Sequence, residues 1–113
     1  MYDNQNVFAK ILRKEIPTNI IYEDDYVISF FDINPKAPTH ALVVTKSAYK
    51  DFNDMMLKAT PDEIKGVFDA VHSVAKQLDL IEAGYRLVVN VGKGSGQEVP
   101  HLHIHILSNK AQN

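Results

Sequence analysis

The chain has no cysteine among its 113 residues. That excludes disulfides and cysteine nucleophiles, and it fits a reducing compartment. Positive charge is not in excess. Twelve Lys and Arg stand against fourteen Asp and Glu, a net charge of −2, which argues against a general nucleic-acid binder. No run approaches the roughly 18 apolar residues that a bilayer span requires, so no membrane partner is expected. The N-terminus, Met1-Tyr2-Asp3-Asn4-Gln5-Asn6, is polar and does not read as a signal peptide. Internal repeats and low-complexity segments are also lacking. The expectation is one soluble, cytoplasmic domain spanning residues 1–113. With 45% hydrophobic residues, it has material for a core of its own.

Histidine is what the chain does have. Three of its five histidines fall in His101-Leu102-His103-Ile104-His105. The period of two is that of a β-strand, so one strand would turn the three imidazoles to one face and Leu102, Ile104 and Ile106 to a core. Imidazole is the side chain best suited to proton transfer and nucleophilic attack near neutral pH. A buried structural role would require a partner for each of three rings. Zinc is the serious rival, because same-face histidines can ligate it, but there is no cysteine and no His-Glu-x-x-His spacing. The expectation is therefore no metal and no cofactor. His72, on the edge of a helical stripe, reads as an ordinary surface histidine.

The remaining chain supplies a scaffold. Residues 6–16 read as a short helix capped by Asn6, with Phe8, Ile11, Leu12 and Ile16 on one stripe and Pro17 as its stop. Residues 20–22 and 27–31 read as a hairpin around Glu23-Asp24-Asp25. Pro35 and Pro38 make 32–39 a connector, and 40–44 a third strand. Tyr49, Phe52, Met55 and Met56 hint at a turn of helix within 47–58. The clearest helix is 61–79, with Thr60 as N-cap, Pro61 at the first position and Glu63 completing a capping box. Residues 85–90 and 101–107 are the last two strands. The expected fold class is α+β, a five-stranded antiparallel meander with one long and one short helix.

Between those last strands lies Asn90-Val91-Gly92-Lys93-Gly94-Ser95-Gly96-Gln97. Glycines let backbone amides approach an anion. A glycine loop leading straight into a histidine cluster points to phosphate beside imidazole. The spacing matches neither the P-loop nor the dinucleotide-binding fingerprint. A neutral imidazole attacks phosphorus well if its other nitrogen is held, and flanking rings can hydrogen-bond the phosphoryl oxygens or protonate a leaving group. Phe8, Ile11, Ile33 and residues 27–31 could wall a slot for a base. Asp32, at a strand end, could hold ribose hydroxyls or simply cap its own loop.

His101-Leu102-His103-Ile104-His105-Ile106-Leu107 resembles the signature of the histidine-triad (HIT) family. Phe8-Ala9-Lys10-Ile11, Arg13-Lys14-Glu15-Ile16-Pro17, Ile21-Tyr22-Glu23-Asp24-Asp25, Ala37-Pro38-Thr39-His40 and Gly84-Tyr85-Arg86-Leu87-Val88-Val89-Asn90 resemble its Hint branch. The likeness covers about residues 6–107. It implies a HIT-like fold and a purine nucleoside phosphoramidase acting through a nucleotidyl-histidine. His103 would be the nucleophile, flanked by His101 and His105, with His40 in the same cluster. Asp32 would bind ribose, and Phe8, Ile11 and Ile33 would line the base slot. Asn90, Gly96, Gln97, Glu98 and Val99 would lie beside the phosphate. The resemblance also implies a homodimer through helix 61–79 and strand 85–90, and chemistry without metal. Glu98 stands where many relatives of that branch carry serine, and Ser108-Asn109-Lys110 replaces their Gly-Gly-Arg, so leaving-group preference is open. The alternatives are a dinucleoside polyphosphate hydrolase of the Fhit type, a nucleotide-binding regulatory protein without catalysis, and a zinc-binding protein.

Overall fold

The computed structural model describes residues 1–112. A five-stranded antiparallel sheet is built from β1 (Ile20–Glu23), β2 (Val27–Phe31), β3 (Thr39–Thr45), β4 (Arg86–Val88) and β5 (His103–Ser108), in the order β1-β2-β3-β5-β4. The expected α+β class and antiparallel five-stranded sheet are present. The simple meander is not. The first three strands follow one another, but β5 inserts between β3 and β4 and pairs with both. β3 is thereby central, and all seven of its residues are buried. This explains the apolar run Ala41-Leu42-Val43-Val44, which a two-sided strand needs and a half-exposed one would not.

Three α-helices accompany the sheet: α1 (Val7–Leu12), α2 (Phe52–Lys58) and α3 (Pro61–Gln77). The hint of a helical turn before residue 58 is realised as α2, capped by the Asp51 side chain on the Asp54 amide. α3 lays Val67, Ala70, Val71, Val74 and Ala75 on Val27, Ala41, Val43, Ile104 and Ile106. Its three valines are 2% exposed or less. Each contributes roughly 1.5–3 kcal/mol by burial, more than the helix propensities they sacrifice. On the opposite face of the sheet, Phe8 and Ile11 of α1 pack on Ile28, Phe30, Leu42 and Val44. That second face carries the even-numbered side chains of β3, including His40.

Two local expectations are corrected. α1 stops at Leu12, not at Pro17. Lys14 takes a left-handed φ of 63°, and the amides of Lys14 and Glu15 return to the carbonyls of Ile11 and Lys10. This paired C-terminal turn ends the helix before the proline can act. At α3, Thr60 caps the Glu63 amide as expected. The Glu63 carboxylate, however, accepts from Ser47 Oγ and Tyr49 Oη, each at 2.5 Å. It ties the loop before α2 to α3 rather than closing a capping box.

Candidate active site

Antiparallel pairing places Leu42 opposite His105, Val44 opposite His103 and His40 opposite Leu107. The side chains of His103 and His105 therefore rise on the α1 face beside His40, while Ile104 and Ile106 enter the core beneath α3, as the alternation predicts. Between α1, the β2–β3 connector, β4 and the glycine loop opens a cleft of about 460 Å³. Phe8, Ile11, Asp32, Ile33, His40, Asn90, Gly96, Glu98, Val99, His103 and His105 all line it. Eleven of the thirteen expected site residues thus converge on one space.

His101 and Gln97 do not line it. β5 begins only at His103, so His101 precedes the strand instead of belonging to it. Its ring is fully buried, with Nε2 on the Thr45 carbonyl at 2.7 Å and Nδ1 on the Tyr2 hydroxyl. Gln97 turns into its own loop. Its Oε1 accepts from the Gly92 amide, and its Nε2 donates to the Lys50 and Val99 carbonyls. The amides of Ser95 and Gly96 are likewise spent within the loop, on Gly92 and Lys93. The three-glycine segment is thus a self-braced turn, and it contributes Asn90 and Gly96 to the cleft, with Glu98 and Val99 following it.

The hydrogen bonds assign each ring a tautomer. His103 Nδ1 lies 2.7 Å from the His101 carbonyl, an acceptor only. Nδ1 therefore carries the proton, and Nε2 is left as the lone pair. The Lys36 amide donates to His40 Nδ1 at 3.0 Å. His40 must then hold its proton on Nε2, which donates to His105 Nδ1 at 2.8 Å. His105 in turn keeps its proton on Nε2, a buried atom without a partner among the described residues. The result is a cleft offering one imidazole lone pair and one unpaired imidazole N–H.

Burial keeps these rings neutral. Desolvation pushes His40, His101 and His103 below the ordinary histidine value. It is opposed at His103 by the bond to the His101 carbonyl and the charge of Asp32. His105 falls to about 4, first through desolvation and then through its neighbours His103 and His40. The strongest depression belongs to the ring with no partner for its Nε2 proton.

Asp32 caps its own connector, one of the two roles expected of it, and also approaches His40. One carboxylate oxygen caps the connector by accepting from the Asn34 amide at 2.8 Å, and the other lies 3.5 Å from His40 Nε2. The same side chain lines the cleft. Ile33 stands 92% exposed at the rim, whereas Phe8, Ile11, Phe30 and Leu42 form a buried wall. Lys36 and Arg86 also border the cleft and are not among the expected site residues. Arg86 arrives because β4 pairs with β5, opposite Leu107, and Lys36 because its amide donates to His40 Nδ1.

Among the described residues, Asp32, His40 and His105 form the one group that could hold a metal, with ligand atoms within 4.8 Å of one another. A cation there would have to replace the proton shared between His40 and His105.

The HIT domain pattern matches residues 13–112 of this chain. The chain belongs to the HIT family. A HIT-like protein of Azospirillum brasilense, itself uncharacterized, is 50% identical over 109 residues, covering 96% of this chain and 89% of that protein. The purine nucleoside phosphoramidase of Escherichia coli K12 is 38% identical over 107 residues, covering 94% and 88%. A histidine triad protein from Clostridium difficile superposes with a TM-score of 0.83 at 37% identity, covering 100% of this chain and 97% of that one. In this HIT protein the triad divides into two cleft-lining rings and one interior ring.

Proposed function

We propose that this HIT protein is a purine nucleoside phosphoramidase. The observation that carries the reading is the His103–His101 hydrogen bond of 2.7 Å. It fixes Nδ1–H and frees Nε2 on a neutral ring that lines a mostly apolar cleft. Such a ring needs no base to attack phosphorus. Nε2 forms a bond to the phosphorus of a nucleoside phosphoramidate, and the P–N bond breaks as its nitrogen takes a proton from solvent in the open cleft and departs as the amine. The positive charge that appears on the ring is met by the His101 carbonyl. Water then cleaves the nucleotidyl-histidine, returning Nε2 and releasing the nucleoside monophosphate. His105 Nε2–H, which lacks a protein partner, donates to a phosphoryl oxygen throughout.

The other lining residues take roles that suit their chemistry. Phe8, Ile11, Phe30 and Ile33 receive the purine, Asp32 accepts from the ribose hydroxyls, and Asn90 with residues 96–99 borders the phosphate. Similarity to the Escherichia coli phosphoramidase supports this substrate class over dinucleoside polyphosphates. Turnover of adenosine 5′-phosphoramidates against dinucleoside polyphosphates, with and without chelator, tests it. Faster cleavage of the phosphoramidates, unchanged by EDTA, is expected. A preference for the polyphosphates would replace the reading. Activity lost on chelation and restored by Zn²⁺ would assign Asp32, His40 and His105 to a metal.

A further inference from the structure

The interior histidine is tied to a residue outside the stretch that matches the HIT domain pattern, which begins at residue 13. The direction of every bond in the chain follows from its first member. Asn6 caps α1 by accepting the Ala9 amide on Oδ1, so its other terminal atom is the Nδ2 donor. That donor reaches the Tyr2 hydroxyl at 3.0 Å. Tyr2, accepting there, sends its own proton to His101 Nδ1. His101 then carries its proton on Nε2 and gives it to the Thr45 carbonyl at 2.7 Å. With the ring held at both nitrogens, the His101 carbonyl faces His103 Nδ1. Packing repeats the connection. The Tyr2 ring meets His101 edge-on at 5.4 Å, and Phe8 meets both His101 at 6.3 Å and His103 at 4.9 Å.

We propose that Tyr2 is a positioning residue for His103. Its hydroxyl, oriented by Asn6, locks the buried His101 ring and with it the carbonyl that fixes the His103 tautomer. Tyr2 does not line the cleft, so it acts on the nucleophile's geometry and not on substrate affinity. A half-buried side chain from the N-terminal segment thereby becomes part of the catalytic apparatus. Losing the hydroxyl leaves a fully buried imidazole nitrogen without its donor, and buried rings without partners settle into other tautomers or orientations.

The inference rests on His103 being the nucleophile, and the test separates the two. Tyr2→Phe retains the ring and removes only the hydroxyl. Asn6→Asp retains the cap on Ala9 but exchanges the donor for an acceptor, diverting the Tyr2 proton from His101. In the full-length protein both should lower kcat on an adenosine phosphoramidate, Tyr2→Phe by roughly tenfold, with KM within about twofold of wild type. Imidazole ¹⁵N spectra without substrate should show His103 as the Nδ1–H tautomer in the wild type and as a mixture in Tyr2→Phe. A Tyr2→Phe kcat within about twofold of wild type, or His103 signals unchanged in that variant, overturns the proposal. A wild type without turnover would instead overturn the phosphoramidase reading, and the tautomer spectra alone would then decide the role of Tyr2.

Discussion

Among the described residues each histidine nitrogen around the cleft has a partner of fixed character, except His105 Nε2 and the His103 lone pair, and the proposed reaction uses those two. The low value of His105, about 4, has a consequence for stability. The unfolded chain takes up this proton near the ordinary histidine value of about 6.5, while the folded chain resists until about 4. Within that window the unfolded state holds more protons, so stability falls as pH falls. Above it neither state is protonated and nothing is lost. The midpoint of thermal unfolding should therefore fall on acidification through the window, and His105→Gln should show a shallower fall. A variant with the full wild-type slope would remove His105 from the effect. Glu98 is exposed at the cleft edge, where a carboxylate favours a cationic leaving amine. Glu98→Ser should lower kcat/KM for basic-amine phosphoramidates severalfold while sparing neutral-amine ones. Equal changes on both would leave Glu98 without a part in selectivity. The alternation of histidine with leucine and isoleucine makes His103 and His105 legible from sequence. It does not reveal that His101 stands apart, because a period of two carries no mark of the residue at which strand pairing begins.

Helix ends and strand order show where local pattern suffices and where it fails. The caps Asn6 and Thr60 and the stripe of α3 are readable because their partners lie within four residues. Insertion of β5 between β3 and β4 depends on pairing across some sixty residues, which no local period encodes. Helix termination hides for another reason: left-handed residues at the C-terminal turn are usually glycine, yet here they are Lys14 and Asp79, with φ of 63° and 62°. Asp79 ends α3 through its own amide on the Lys76 carbonyl and the Leu80 amide on the Ala75 carbonyl. Its ion pair with Lys110 is long, at 3.5 Å, and exposed, so it offsets little. Asp79→Gly should raise stability by about 0.5–1 kcal/mol by removing the cost of a left-handed Cβ. Urea unfolding checks this, and a destabilised variant would contradict it.

At the scale of the whole molecule, β4 leaves a sheet edge uncovered, with Leu87 45% exposed, and Phe68 of α3 is 42% exposed. An apolar groove lined by Phe52, Phe68, Val89 and Val91 adjoins them. An open edge beside apolar surface invites pairing, and two-fold pairing of identical edges closes it. We propose a homodimer through α3 and β4. Sedimentation should find twice the 12.7 kDa chain mass, and Leu87→Lys should shift it towards the monomer. A wild type that sediments only as 12.7 kDa would contradict this. The central claim, that His103 attacks phosphorus, is tested most directly by intact-protein mass spectrometry of acid-quenched samples during turnover of an adenosine phosphoramidate. The account predicts a transient adenylyl adduct localised to His103 and absent from His103→Ala. An adduct on His101 or His105, or a His103→Ala protein that still turns over at the wild-type rate, would contradict it.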